Sequence, residues 1–274
     1  MMEVRTVKVQ AIAFDLDDTL LRDDRSISDY TCRVLRRAAA KGIAVIPASG
    51  RTGKSMRGFV ERIGCASCYV CANGAQVRDP SGRVLMQEML SVEVAREAAE
   101  FAKAHECYAQ VYDEERFYYS RQDRYAHEYA VSSALPGQYV GDLAAFITSP
   151  TPKLLMMDDP ARIAAMLQEA GRLFAGRAAV TCSKPYFLEV NPVRATKGNA
   201  LRWCAEHFGF SMDALVAFGD SLNDLTMLQT AGLGVAMANA REDVKALIPA
   251  RCLSNEQDGV ADYIDKYVLR EENA

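Results

Sequence analysis

Three carboxylates in the run Phe14-Asp15-Leu16-Asp17-Asp18-Thr19-Leu20 are the residues of this chain best placed to do chemistry. They follow an apolar stretch, Val7 to Phe14, interrupted by Lys8 and Gln10, that reads as a buried strand of a parallel sheet. Acidic groups at the carboxyl end of such a strand sit where open α/β sheets bind ligands. Gathering like charges is costly unless a cation or a substrate offsets them. Alternation along the extended chain puts Asp15 and Asp17 on one side, with Leu16 pointing the other way. One carboxylate can then attack while its neighbour moves protons, provided a metal damps their repulsion. Taken alone, the run also fits a solvated acidic turn, so the rest of the chain must decide.

Three further elements follow in order. Val45-Ile46-Pro47-Ala48-Ser49-Gly50-Arg51 is an apolar strand ending in a hydroxyl and a glycine. Thr196-Lys197-Gly198 opens a helix and puts an ammonium in its first turn. The strand from Leu215 ends in the acidic loop Gly219-Asp220-Ser221-Leu222-Asn223-Asp224. Each is weak alone. Together they supply a nucleophile, a proton carrier, donors for phosphate oxygens, a fixed cation and metal ligands, which is the inventory of phosphoryl transfer. All stand at strand ends or helix starts, where one crevice can collect them. Hard oxygen ligands with no nearby His or Cys suit Mg²⁺ better than Zn²⁺.

The four elements resemble, in kind and order, the motifs of the haloacid dehalogenase superfamily, and specifically its Cof-like sugar-phosphatase branch. The resemblance runs from Val7 to the last helix. Asn73-Gly74-Ala75 is similar to that branch's turn before its cap domain. The resemblance implies that Asp15 forms an aspartyl-phosphate and ligates Mg²⁺. Asp17 is implied as general acid and then base, its backbone carbonyl a second metal ligand. Ser49, the Gly50 and Leu16 N–H groups and Asn223 are implied to bind phosphate oxygens. Lys197 would neutralise the phosphate and Asp15, Asp220 would be the third protein ligand to Mg²⁺, and Asp224 would stand behind it. Ser49 replaces the threonine commoner in the branch but keeps the hydroxyl. An alkoxide leaving group needs a proton and a halide does not; the family's dehalogenases lack an acid at the position of Asp17, so its presence argues against dehalogenation. Thr19 is expected to close the loop after the strand, and Asp18 to be solvated.

The elements that must position these residues follow from spacing. The chain between Ser49 and Lys197 is far longer than a βα crossover needs. The expected fold is α/β: a Rossmann-like parallel-sheet core with helices on both faces (residues 1–82 and 190–274) and an inserted α+β cap (83–189). Asp79-Pro80-Ser81-Gly82 is a hairpin turn at the entry. Within the insert, Val92 to His105 reads as a helix capped by Ser91, Ala109 to Tyr119 as a hairpin around Asp113-Glu114-Glu115-Arg116, Lys153 to Met157 as a strand, and Pro160 to Phe174 as a second helix. Strands at 180–182 and 186–190 lead back, giving an antiparallel sheet with helices on one face. In the core, helices are expected from Ser28 to Lys41, at 52–63, from Lys197 to Phe208 and at 222–231. Cap side chains must discriminate esters; Lys184, Tyr186 and Glu189 are candidates, with Arg121 and Arg124 in a long loop.

Composition sets outer limits. A net charge of −4 gives no electrostatic footprint for nucleic acid. No apolar run is long enough to span a bilayer, and Met1-Met2-Glu3-Val4-Arg5 lacks a signal peptide's apolar core, so a cytoplasmic setting is expected. Cys65, Cys68 and Cys71 have the spacing of a metal cluster, but no fourth cysteine follows nearby and two fall in a strand, so reduced, packed thiols fit better. The expected reaction is Mg²⁺-dependent hydrolysis of a small phosphorylated metabolite; the alternatives are a phosphomutase on the same scaffold and a phosphate-sensing protein without turnover. The oligomeric state stays open.

Overall fold

A computed structural model describes residues 8–113 and 115–270. Val7, the segment Met1 to Arg5 and Glu114, all used in the reading above, lie outside the described residues. The first part of the chain forms β1 (Ala11–Phe14), α1 (Asp29–Ala40), β2 (Ala44–Pro47), α2 (Gly53–Ile63) and the antiparallel strands β3 (Tyr69–Cys71), β4 (Gln76–Arg78) and β5 (Val84–Gln87). The helices start where short polar side chains cap them: Ser28 accepts from the Thr31 N–H and Thr52 from that of Ser55. The middle part forms α3 (Val92–Ala104), β6 (Tyr108–Tyr112), β7 (Phe117–Tyr119), α4 (Arg124–Ser133), β8 (Gly137–Tyr139), α5 (Leu143–Phe146), β9 (Leu154–Met157), α6 (Pro160–Leu173), β10 (Ala178–Thr181) and β11 (Phe187–Pro192). The last part adds α7 (Lys197–Phe208), β12 (Leu215–Gly219), α8 (Leu225–Thr230), β13 (Leu233–Ala236), α9 (Glu242–Leu247), β14 (Ala250–Arg251) and α10 (Gly259–Tyr263).

The first and last parts share one parallel sheet in the order β14-β13-β12-β1-β2. Its central strands are buried throughout, as an α/β sheet covered on both faces requires. Phe14 and Phe218 pair across β1 and β12 and are inaccessible to solvent. Each such side chain contributes about 1.5–3 kcal/mol through burial. The chain leaves β1 for β2 on one side and returns in β12 on the other, which makes β1 the switch point where a crevice opens beyond the carboxyl ends.

The middle part builds a six-stranded sheet of its own, β10-β11-β9-β6-β7-β8, with a separate apolar cluster under α3, α5 and α6. Three expectations need correction here. The sheet is not wholly antiparallel, since β7 and β8 run parallel. The reason is α4, read from sequence as a loop, which supplies the crossover that a parallel pair needs. Its cap, Asp123 accepting from the Tyr125 N–H, and the pair Tyr125 and Tyr129 at helical spacing were the available signals. The segment after Ser221 is also more broken than expected, with a tight turn at Leu222–Asp224 before α8. Among the described residues, no helix is long and apolar enough to cross a membrane.

Backbone strain is concentrated in the turn after β3, where Ala72, Asn73 and Gly74 all have positive φ. Gly74 has φ +100°, and a Cβ there would lie 2.3 Å from the Thr196 carbonyl oxygen, just ahead of α7. Gly74→Ala is therefore expected to cost about 2–3 kcal/mol of stability, read by urea unfolding. A change below about 0.5 kcal/mol would show that the turn relaxes freely.

Candidate active site

The site is assembled from the carboxyl ends of β1, β2 and β12 and the first residue of α7. Asp15 follows β1, Ser49 and Gly50 follow β2, and Asp220 follows β12, while Lys197 opens α7 behind its Thr196 cap. The chain after Asp15 turns sharply, closed by the Leu21 N–H donating to the Leu16 carbonyl at 2.8 Å. Leu16 is thereby buried in the core while Asp15 and Asp17 line the crevice.

Lys197 is fully buried and lies between two carboxylates, 2.8 Å from Asp15 Oδ1 and 2.6 Å from Asp224 Oδ1. The first contact is an ion pair, so Lys197 holds Asp15 by charge. Asp224 uses its other oxygen to accept from the Asp220 and Ser221 N–H groups at 2.9 and 3.0 Å. Such close docking needs a glycine before it: a Cβ at Gly219 would lie 2.5 Å from that of Asp224. Asp220 accepts from the Thr19 hydroxyl at 2.9 Å and the Ser221 hydroxyl at 2.7 Å. Thr19 thus orients an acidic side chain on another strand as well as sitting in its own loop.

Oxygens of Asp15, Asp220 and Asp224 all lie within 4.8 Å of one another and are buried. One ammonium does not balance three carboxylates. Burial lifts the Asp15 carboxyl well above the usual range despite Lys197, with Asp224, Asp220 and Asp17 adding to the rise. Burial and the charge of Asp224 push Asp220 up to about 7. Lys197 goes the other way: burial disfavours its charge, but Asp15 and Asp224 hold it above an ordinary lysine. A hard divalent cation among these oxygens would remove the excess charge, so the donor set fits Mg²⁺.

Asp17 is gripped by a residue to which sequence reasoning gave no role. Arg51 donates to it through two nitrogens, Nη2 to Oδ1 at 2.6 Å and Nε to Oδ2 at 2.8 Å. Burial would raise this carboxyl, but the hydrogen bonds and charge of Arg51 outweigh it and hold it below its ordinary value. Arg51 was readable only as the residue after the Ser-Gly turn and before a helix cap. Ser49 is buried, its hydroxyl accepting from the Arg51 N–H at 3.2 Å. Asn223 lines the crevice and donates to Asn73 Oδ1 at 3.1 Å.

The crevice holds ≈ 420 Å³ and is closed on its far side by the middle part of the chain. Lys184 and Tyr186 line it, as expected, and so do Tyr125, Glu128 and Tyr129 of α4. The other three candidates lie elsewhere. Glu189 is buried in an ion pair with Lys153 at 2.6 Å, because the strand turns it away from the opening. Arg124 faces Asp159 at 3.3 Å, and Arg121 binds the Glu106 carbonyl. Of the clustered cysteines, Cys68 Sγ lies 3.7 Å from that of Cys204, and the Cys71 thiol faces Gln76.

Residues 12–264 match the haloacid dehalogenase-like hydrolase family. The chain belongs to that family. Its motifs place it in the Cof-like branch. Among curated relatives, phosphatase YwpJ of Bacillus subtilis is 30% identical over 95% of this chain and 100% of its own length. The 5-amino-6-(5-phospho-D-ribitylamino)uracil phosphatase YcsE of the same bacterium is 29% identical over 96% of this chain and 97% of its own. A crystal structure of a haloacid dehalogenase-like hydrolase from Bacteroides thetaiotaomicron superimposes with a TM-score of 0.84 at 29% identity, covering 94% of this chain and 99% of that one. The chain is a haloacid dehalogenase-like phosphatase.

Proposed function

We propose that this phosphatase hydrolyses small phosphate monoesters, sugar phosphates or similar metabolites, through an aspartyl-phosphate on Asp15. The observation that carries the reading is the Lys197 ammonium held between Asp15 and Asp224, with Asp220 alongside. Asp15 attacks phosphorus in line and the ester oxygen leaves with a proton from Asp17. That carboxylate must first part from Arg51 and be protonated, since the pair holds it ionised. Asp17 then takes a proton from the water that frees phosphate and restores Asp15. Ser49, the Gly50 and Leu16 N–H groups and Asn223 hold the equatorial oxygens, with Lys197 offsetting their charge. Asp15, Asp220 and the Asp17 carbonyl would hold Mg²⁺, with Asp224 supporting from behind. The ion supplies positive charge to the phosphoryl oxygens and keeps Asp15 ionised.

In this proposal residues 1–82 and 190–274 do the chemistry and 83–189 select the alcohol. The name of YcsE joins a phosphate to a polyol and a heterocycle, a size that ≈ 420 Å³ accommodates. Eight thiols with no disulfide among them suit a cytoplasmic setting. The test is a panel of phosphorylated metabolites ranked by kcat/KM with and without EDTA. Chelation is expected to reduce turnover by at least about 10²-fold, with recovery on adding Mg²⁺. Full turnover in metal-free buffer would defeat the mechanism. Phosphate release that requires a bisphosphate activator would mark a mutase instead.

A further inference from the structure

We propose that Lys153 and Glu189 are positioning residues that fix the direction in which Asn223 donates, coupling the inserted sheet to the phosphate-binding side of the crevice. The inference rests on the phosphatase reading, in which that side receives phosphoryl oxygens. Lys153 stands immediately before β9 and Glu189 within β11, and their side chains are only 4% and 2% exposed. The Lys153 ammonium contacts Glu189 Oε1 at 2.6 Å and donates to the Gly50 carbonyl at 2.9 Å. The second carboxylate oxygen accepts from Asn73 Nδ2 at 3.1 Å.

Hydrogen-bond polarity then propagates along the chain of side chains. An ionised carboxylate can only accept, so Asn73 must present its amino group to Glu189. Its carbonyl oxygen is left to face Asn223, which must donate through Nδ2, at 3.1 Å. The second N–H of Asn223 remains as its donor for the crevice that this residue lines. Asn223 Oδ1, by contrast, is buried with no hydrogen-bond partner among the described residues, a cost that the fixed direction of Asn73 imposes. A reversed Asn223 would direct lone pairs at phosphate oxygens. The ion pair prevents that reversal from two residues away, and it is supplied by the inserted segment.

The experiment uses the full chain with Mg²⁺ and reads the inhibition constant of inorganic phosphate beside kcat and KM. In Glu189→Gln the amide oxygen stays on Lys153, which can only donate, so the amide nitrogen faces Asn73 and sets the relay in reverse. Asn73→Gly cuts it while leaving the Lys153–Glu189 pair in place, and glycine suits the φ of 56° there. Each is expected to weaken phosphate binding about tenfold, with a smaller change in kcat. Neither is expected to weaken it further in an Asn223→Ala background, because the effect passes through that amide. A merely structural role would leave the effects additive. Additive losses for Asn73→Gly and Asn223→Ala, or unchanged phosphate binding in Asn73→Gly, would overturn the proposal. Should Glu189→Gln fail to fold, the Asn73→Gly arm decides alone. A parent that turns over but gives an additive cycle defeats only the positioning role. A parent that binds phosphate yet hydrolyses no ester defeats the phosphatase reading, while the cycle still reports on the relay.

Discussion

Asp15→Asn loses turnover by about 10⁴-fold or more while remaining folded. The carboxamide cannot attack phosphorus, and the three carboxylates that bear directly on Asp15 are each engaged elsewhere. Asp17 is held by Arg51, Asp220 by Thr19 and Ser221, and Asp224 by Lys197 and two backbone N–H groups. Folding survives because the buried Lys197 keeps Asp224 at 2.6 Å, so its charge does not become unpaired. Phosphate release and urea unfolding measure the two halves of the result. In the parent, acid quenching during turnover traps a phosphoryl group on the peptide carrying Asp15. Retained turnover in Asp15→Asn, or label on any other residue, would sink the covalent mechanism.

The second large effect depends on the leaving group. With an alkyl phosphate, Asp17→Asn is expected to lose about 10²–10⁴-fold in kcat, since the alkoxide departs without a proton. With p-nitrophenyl phosphate the first step needs no acid, but the second still needs a base. The variant should then release a burst of about one equivalent of nitrophenolate and stall as the phosphoenzyme. Equal losses on both esters with no burst would show that Asp17 serves binding rather than proton transfer. Arg51 sets the charge of this group. Burial alone would raise the Asp17 carboxyl, and Arg51 reverses that. The pair therefore contributes stability above the ordinary carboxyl range and loses it as pH falls through the lowered value.

The elements of the candidate site were legible because each places unusual polar residues where a buried strand ends or a helix begins. The run at Asp15, the Ser49-Gly50 turn, Lys197 and the loop at Asp220 need only local pattern to be seen, and the fold brings their side chains into one crevice. The inserted layer was legible in outline, since Ser91 and Pro160 mark helix starts that the structure keeps. What stayed hidden depended on long-range partners. Arg51 acquires its role only when β2 lies beside β1 and brings it to Asp17. Glu189 looked like a cleft residue because the segment leaving the inserted layer lies near the core by connectivity, but the strand buries it. Its partner Lys153 is another charge, set just ahead of an apolar strand, and only their pairing explains either. Helix α4 was lost in what read as a long loop after the aromatic hairpin.

The close fit of Gly74 against the Thr196 carbonyl has a kinetic corollary. It joins two halves of the core that the whole inserted segment separates in sequence, and the contact between Asn73 and Asn223 spans 150 positions. Closing so large a loop through unfolded chain is entropically slow, but a segment that has already collapsed brings its own ends together. Refolding should therefore show the inserted sheet gaining protection from hydrogen exchange before α7 docks. The ability to bind phosphate would then be the last property the nascent molecule acquires.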